Sequence, residues 1–227
     1  MLVPAERADA LVKVELPDGT IASRTTVGKF PHDAAHSDGR VFVTNEFDNT
    51  ISVIEGDRVV ATLDAPEQPG GVAVSVAAGI AGVLGVRDHT LEFYDARTLR
   101  SLGKVDAGEG PTHIVAGSGD RFYVVDTRGG ALLVFAARPK PALLERVSVP
   151  ASPYGIAIDP RRERLWVTLT ATNRVAVYDV GARAPRRLAD YPTVRQPNSV
   201  AVDHSTGRVF VAGFKDAVLQ LLDPTRS

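Results

Sequence analysis

The chain has 227 residues, 44% of them hydrophobic and 23% charged, and a formal net charge of −1. That is the balance of an ordinary globular protein. Near-neutrality argues against a nucleic-acid binder, no apolar run reaches the roughly 18 residues of a membrane span, and the lack of cysteine excludes disulfides, thiolate catalysis and zinc–cysteine sites.

The N-terminal segment MLVPAERADA has no basic stretch followed by an apolar one, so no signal peptide is read in this chain. Residues 1–27 divide into LVPAE, DALVKVEL and TIASRTTV, three strand-like runs, with Pro17-Asp18-Gly19 as a turn. From Pro31 the pattern is fuller. An alternating run leads to a polar turn, then to VFVTNEFDNTISVIEG, two apolar runs flanking a polar hairpin tip. The segment after Pro69 is glycine-rich (GGVAVSVAAGIAGVLGV), which predicts close packing or a distorted inner strand. The segment after Pro111 contains RFYVVDTRGGALLVFAA, with a tight hairpin at Gly129-Gly130. After Pro153 comes the clearest copy, PYGIAIDPRRERLWVTLTATNRVAVYDV, and after Pro197 a last copy that ends on a third strand, AVLQLLDP.

The five prolines lie 38 (69−31), 42 (111−69), 42 (153−111) and 44 (197−153) residues apart. A period of about 40–45 residues, with four short alternating runs in each, predicts an all-β fold: a β-propeller of four-stranded antiparallel blades. The whole of 1–227 reads as one propeller domain. Repeats start near 31, 69, 111, 153 and 197, and 1–27 forms a partial repeat. Six blades are preferred, incomplete at both termini, and the termini are expected to meet so that the ring closes. The alternative is five blades, with TIASRTTV pairing onto AVLQLLDP.

A meander running outward from the axis brings two loop classes to one face: the loops entering each first strand and the loops between second and third strands. That face surrounds the mouth of the central channel, a concave setting that ligands favour. The expected mouth residues are His32, Asp33, Glu46, Arg87, His89, His113, Tyr154 and Asn198. His36 lies nearby in sequence. His32, Asp33, Glu46 and His113 combine imidazoles with carboxylates. They could ligate a divalent metal, the one cofactor the sequence raises, or perform acid–base chemistry near neutral pH. The plainer expectation is that Asp33 bonds turn backbone and that His32 only stacks in the channel. His204, in the turn DHSTGR on the opposite face, is read as structural, Trp166 as core, and Arg161–Arg164 as a solvated turn.

VFVTNEFDNTISVIEG and the preceding PHDAAHSDGR resemble the repeat of YVTN-type β-propellers, and LWVTLTATNRVAVYDV and VFVAGFKDAVLQLLDP resemble it more loosely. The resemblance spans nearly the whole chain and implies the fold. Members of that class are often exported bacterial proteins, so the resemblance implies a secreted or periplasmic location. PYGIAID and LWVT are also similar to streptogramin-lyase-like propellers, which use mouth histidines and a divalent metal. The chain lacks a clear matching set of His and Glu positions, so no catalytic residue carries over. It also lacks the acidic ring of calcium-dependent lactonase propellers, although Asp33 and Glu46 are compatible with one.

Two readings follow. The first is a binding propeller that takes a small-molecule or protein ligand at the channel mouth. The second is a metal-assisted lyase or hydrolase with its site in the same mouth. Neither involves nucleic acid or a membrane span, and a monomer is expected.

Overall fold

The computed structural model describes residues 1–224. Six antiparallel sheets follow one another along the chain as the blades of a β-propeller. The first blade has three strands, Leu2–Ala5, Ala10–Val14 and Ile21–Thr26. The second, third, fourth and fifth blades have four strands each and start at Pro31, Pro69, Pro111 and Pro153. The sixth has three, Pro197–Val202, Val209–Gly213 and Val218–Leu222. Ile21–Thr26 pairs with Ala10–Val14, and Val218–Leu222 pairs with Val209–Gly213. The five-blade arrangement, which needs those two outer strands to pair with each other, is therefore excluded.

The prolines begin the inner strands because the first residue of a strand needs no ladder N–H. Immediately after each proline the pairing slips, between Pro31 and Ala34, Pro69 and Val72, Pro111 and His113, Pro153 and Ile156, and Pro197 and Ser199. Such a bulge bends the strand and re-aims the side chains beside it. The carbonyl before each proline accepts a hydrogen bond from the first hairpin residue of its own blade. The pairs are Phe30 with Glu46, Gln68 with Val86, Gly110 with Thr127, Ser152 with Thr170 and Gln196 with Phe214, at 3.0–3.1 Å. These bonds tie the entry loop of each blade to its hairpin loop and bring both to one face.

Each blade presents a forward face to its successor and a backward face to its predecessor, because alternate residues of a strand point to opposite sides. Five apolar clusters fill the five successive junctions, from first–second to fifth–sixth. Val167 belongs to the fourth–fifth junction and Val177 to the fifth–sixth, opposite faces of one sheet. Trp166 is buried at the fifth–sixth junction, as expected of a core residue. Polar staples reinforce the packing. Arg40, which opens the second strand of its blade, donates to the carbonyls of Ala96 and Arg97 in the next blade, and Arg121 donates likewise to Ala182 and Arg183. The turn Arg161–Arg164 is more than a solvated turn. Arg162 pairs with buried Asp159 at 2.8 Å and donates to the carbonyls of His204 and Ser205. His204 Nε2 lies 3.0 Å from the Ile158 carbonyl, a structural role as expected.

No apolar cluster joins the sixth blade to the first among the described residues. The forward face of the sixth blade is open, with Leu219 66% and Leu221 52% exposed.

Candidate functional site at the channel mouth

The mouth is built from the bulged inner strands and the hairpin loops tied to them. His32 follows the Pro31 bulge, and its Nδ1 stands 3.6 Å from both Glu6 Oε1 and Glu46 Oε2. Glu46 is the first residue of its hairpin and largely buried, and its Oε1 accepts from Gln68 Nε2 at 2.5 Å. Glu6 lies in the short 3-10 turn Glu6–Ala8 of the first blade. His32 thus sits between two carboxylates from two blades, and Gln68 extends the set to a third. The sequence reading missed Glu6 because the first repeat has no opening proline to align it.

The His32 ring leans over Gly70 of the third blade, with its Cδ2 3.9 Å from where a Cβ would stand. A side chain at position 70 would narrow this part of the mouth. On the fourth blade, His113 packs edge-on against Tyr154 with ring centroids 4.8 Å apart. Burial, with a smaller contribution from nearby His32 and against a hydrogen bond with the Tyr154 backbone, pushes the His113 imidazole down to about 4. His113 is therefore neutral at physiological pH. Its buried Nδ1 has no hydrogen-bond partner among the described residues, although buried polar groups are normally paired.

Two cavities open on this face. One, of about 250 Å³, is lined by Glu46, Phe47, Asn49, Glu67, Gln68 and Arg87. The other, of about 380 Å³, lies over Tyr154, Thr170, Gln196, Asn198 and Phe214. Arg87 lines the first of these cavities, and Asn198 and Tyr154 line the second.

The other predicted residues have other tasks. Asp33 points into the second–third junction. Its Oδ1 accepts from Ala34 N at 2.8 Å and its Oδ2 from Val72 N at 3.0 Å. Burial raises its pKa, and the two amide bonds act in the opposite sense. His89 takes the left-handed turn position of its hairpin, φ 54°, which Asn49 and Asn173 occupy in the second and fifth blades. Among the described residues, no group of three or more His, Asp or Glu side chains is arranged to hold a metal ion. The proposed set of His32, Asp33, Glu46 and His113 is divided because Asp33 serves the backbone and His113 turns toward Tyr154.

No family model and no curated protein matches the chain. Solved structures do. A functionally unknown protein from Desulfotomaculum acetoxidans DSM 771 superposes with a TM-score of 0.81 at 16% identity, over 97% of this chain and 78% of that one. A chain of the Mitotic Checkpoint Complex gives 0.82 at 11%, over 94% and 68%. Kuenenia stuttgartiensis Hydrazine Synthase gives 0.61 at 12%, over 100% and 92%. At these identities the likeness establishes the β-propeller fold alone.

Proposed function

We propose that this β-propeller is a binding module that takes a small polar ligand, or a polar side chain of a protein ligand, at the channel mouth. One observation carries the reading. Five proline-led bulges turn the inner-strand residues toward one face, where His32 stands between Glu6 and Glu46 near a neutral His113 whose buried Nδ1 has no hydrogen-bond partner among the described residues. Concave sites with a few convergent polar groups and a perturbed titratable residue are where ligands bind most often.

The metal-assisted reading has less support. One of its two carboxylate donors, Asp33, spends both oxygens on backbone amides. Titration calorimetry on wild type and on His32→Ala with His113→Ala distinguishes the two. The probes are a panel of small amines, carboxylic acids and sugars alongside zinc, manganese and calcium. The binding reading expects heat from an organic probe and its loss in the double variant. Heat from a metal alone, lost in the same variant, supports the metal reading. No heat from any probe defeats both.

A further inference from the structure

The two cavities on the mouth face are one niche occurring twice, with different chemistry. Over the second–third junction the cavity of about 250 Å³ is lined by the hairpin of one blade and by the entry loop and hairpin of the next, and it carries three charged side chains, Glu46, Glu67 and Arg87. The cavity of about 380 Å³ holds the corresponding place over the fifth–sixth junction. Thr170 and Phe214 are the first hairpin residues of their blades, as Glu46 is of the second, and each donates its amide to the carbonyl before its own proline. None of the side chains lining this cavity is charged. Arg195, next to Gln196 in the chain, pairs with Asp216 of the sixth-blade hairpin at 3.6 Å, so their charges offset.

Gln68 and Gln196 are the same residue at the same place, directly before an inner-strand proline. Gln68 spends its side-chain amide on Glu46 Oε1 at 2.5 Å. At the fifth–sixth junction Thr170 stands in place of that carboxylate, and its hydroxyl donates to the Ser152 carbonyl at 3.0 Å. The side-chain amide of Gln196 is left without a hydrogen-bond partner among the described residues, and so are the Asn198 amide and the Tyr154 hydroxyl. All three side chains line the cavity and reach solvent. Beside these polar groups stand two aromatic rings. Phe214 is 74% exposed. Tyr154 is braced edge-on by His113, and the close packing of Gly155 on the Asn198 and Ser199 backbone holds the two inner strands, and with them Tyr154 and Asn198, in place.

We propose that the cavity over the fifth–sixth junction binds a neutral sugar residue. Each amide offers both a donor and an acceptor, and the phenol adds one of each, which matches the adjacent hydroxyls of a sugar ring. The electron-rich faces of Phe214 and Tyr154 suit the partly positive C–H groups of the ring. The lining holds no ionised group to compensate a charged ligand, and burying an unpaired charge is costly. The volume falls in the range of small-ligand sites. This inference rests on the reading of the mouth as a ligand-binding face and narrows it to one class of ligand.

Saturation-transfer NMR with the methyl glycosides of glucose, galactose, mannose and N-acetylglucosamine tests this, since it detects weak ligands. At least one glycoside should receive saturation at its ring C–H protons. The uronic acid of the same sugar, which keeps the ring and adds a charge, should bind no tighter. Affinity should be equal at low and high salt, because screening acts only on charged pairs. Asn198→Ala with Phe214→Ala should weaken binding by at least about tenfold at an unchanged melting temperature. Should that variant fold poorly, Phe214→Ala alone, at an exposed position, should weaken it by roughly two- to tenfold. No saturation of any glycoside overturns the proposal, as does binding that survives in these variants or falls steeply with salt. If amines or carboxylic acids bind instead, and His32→Ala with His113→Ala removes that binding, this proposal falls while the mouth remains a binding site. Silence from every class of probe defeats both.

Discussion

The His113 ring lies edge-on to Tyr154 of the next blade, with centroids 4.8 Å apart, and its Nδ1 is buried without a partner. An imidazole so placed resists protonation, because burial removes the water that would stabilise the cation. Its folded value is about 4, below the ordinary 6.5. The unfolded chain therefore binds a proton at a higher pH than the folded one. Stability should fall as pH drops from about 6.5 toward about 4 and level off below, by something on the order of 1–3 kcal/mol. His113→Phe should flatten that part of the profile. Melting temperatures of both proteins across this window decide it, and parallel profiles would contradict the assignment.

Asp33 is predicted to be a structural residue. Asp33→Ala leaves the Val72 amide without its acceptor at the second–third junction. An orphaned buried donor costs about 1–3 kcal/mol. Asp33→Asn retains one acceptor oxygen and should lose less. Denaturant unfolding of the ligand-free protein reads this directly. If both variants unfold at the wild-type midpoint, Asp33 is free to serve a ligand after all.

At Gly155 the inner strand of the fifth blade lies tightly against that of the sixth. A Cβ there would stand 2.9 Å from the Asn198 carbonyl oxygen and 3.1 Å from Ser199 Cα, both backbone atoms that cannot swing away. Gly155→Ala should therefore destabilise by about 1–3 kcal/mol through overpacking and shift Asn198 at the mouth. Gly39, at φ +82° with open space around it, provides the contrast. Gly39→Ala should cost about 1–2 kcal/mol of backbone strain, with no change at the mouth. Equal losses in the two variants would refute the contact argument.

Val167 is fully buried between the fourth and fifth blades, whereas Thr170 sits in a mouth loop and donates to the Ser152 carbonyl. Val167→Ala should cost roughly 1–3 kcal/mol from lost burial and the cavity left behind. Thr170→Ala should cost less, since its hydroxyl bond is worth about 0.5–1.5 kcal/mol net. Calorimetric melting of both variants provides the comparison.

The sequence by itself determined the blades. Pro31, Pro69, Pro111, Pro153 and Pro197 recur at a blade's length, and period-two runs such as Leu165–Leu169 can bury both faces only between neighbouring sheets. It also placed the loops of His32, Glu46, Tyr154 and Asn198 on one face, because a meander allows no other arrangement. What each side chain does there was decided by tertiary structure. Asp33 and His32 are adjacent in the chain, yet the bulge sends one to the Val72 amide and the other between Glu6 and Glu46. The difference in burial between like residues was equally hidden. Phe42 and Phe210 share one pentapeptide, yet Phe42 is fully buried against the third blade and Phe210 is only half-buried. Strand alternation is a property of the local chain, whereas burial depends on what packs across the sheet face.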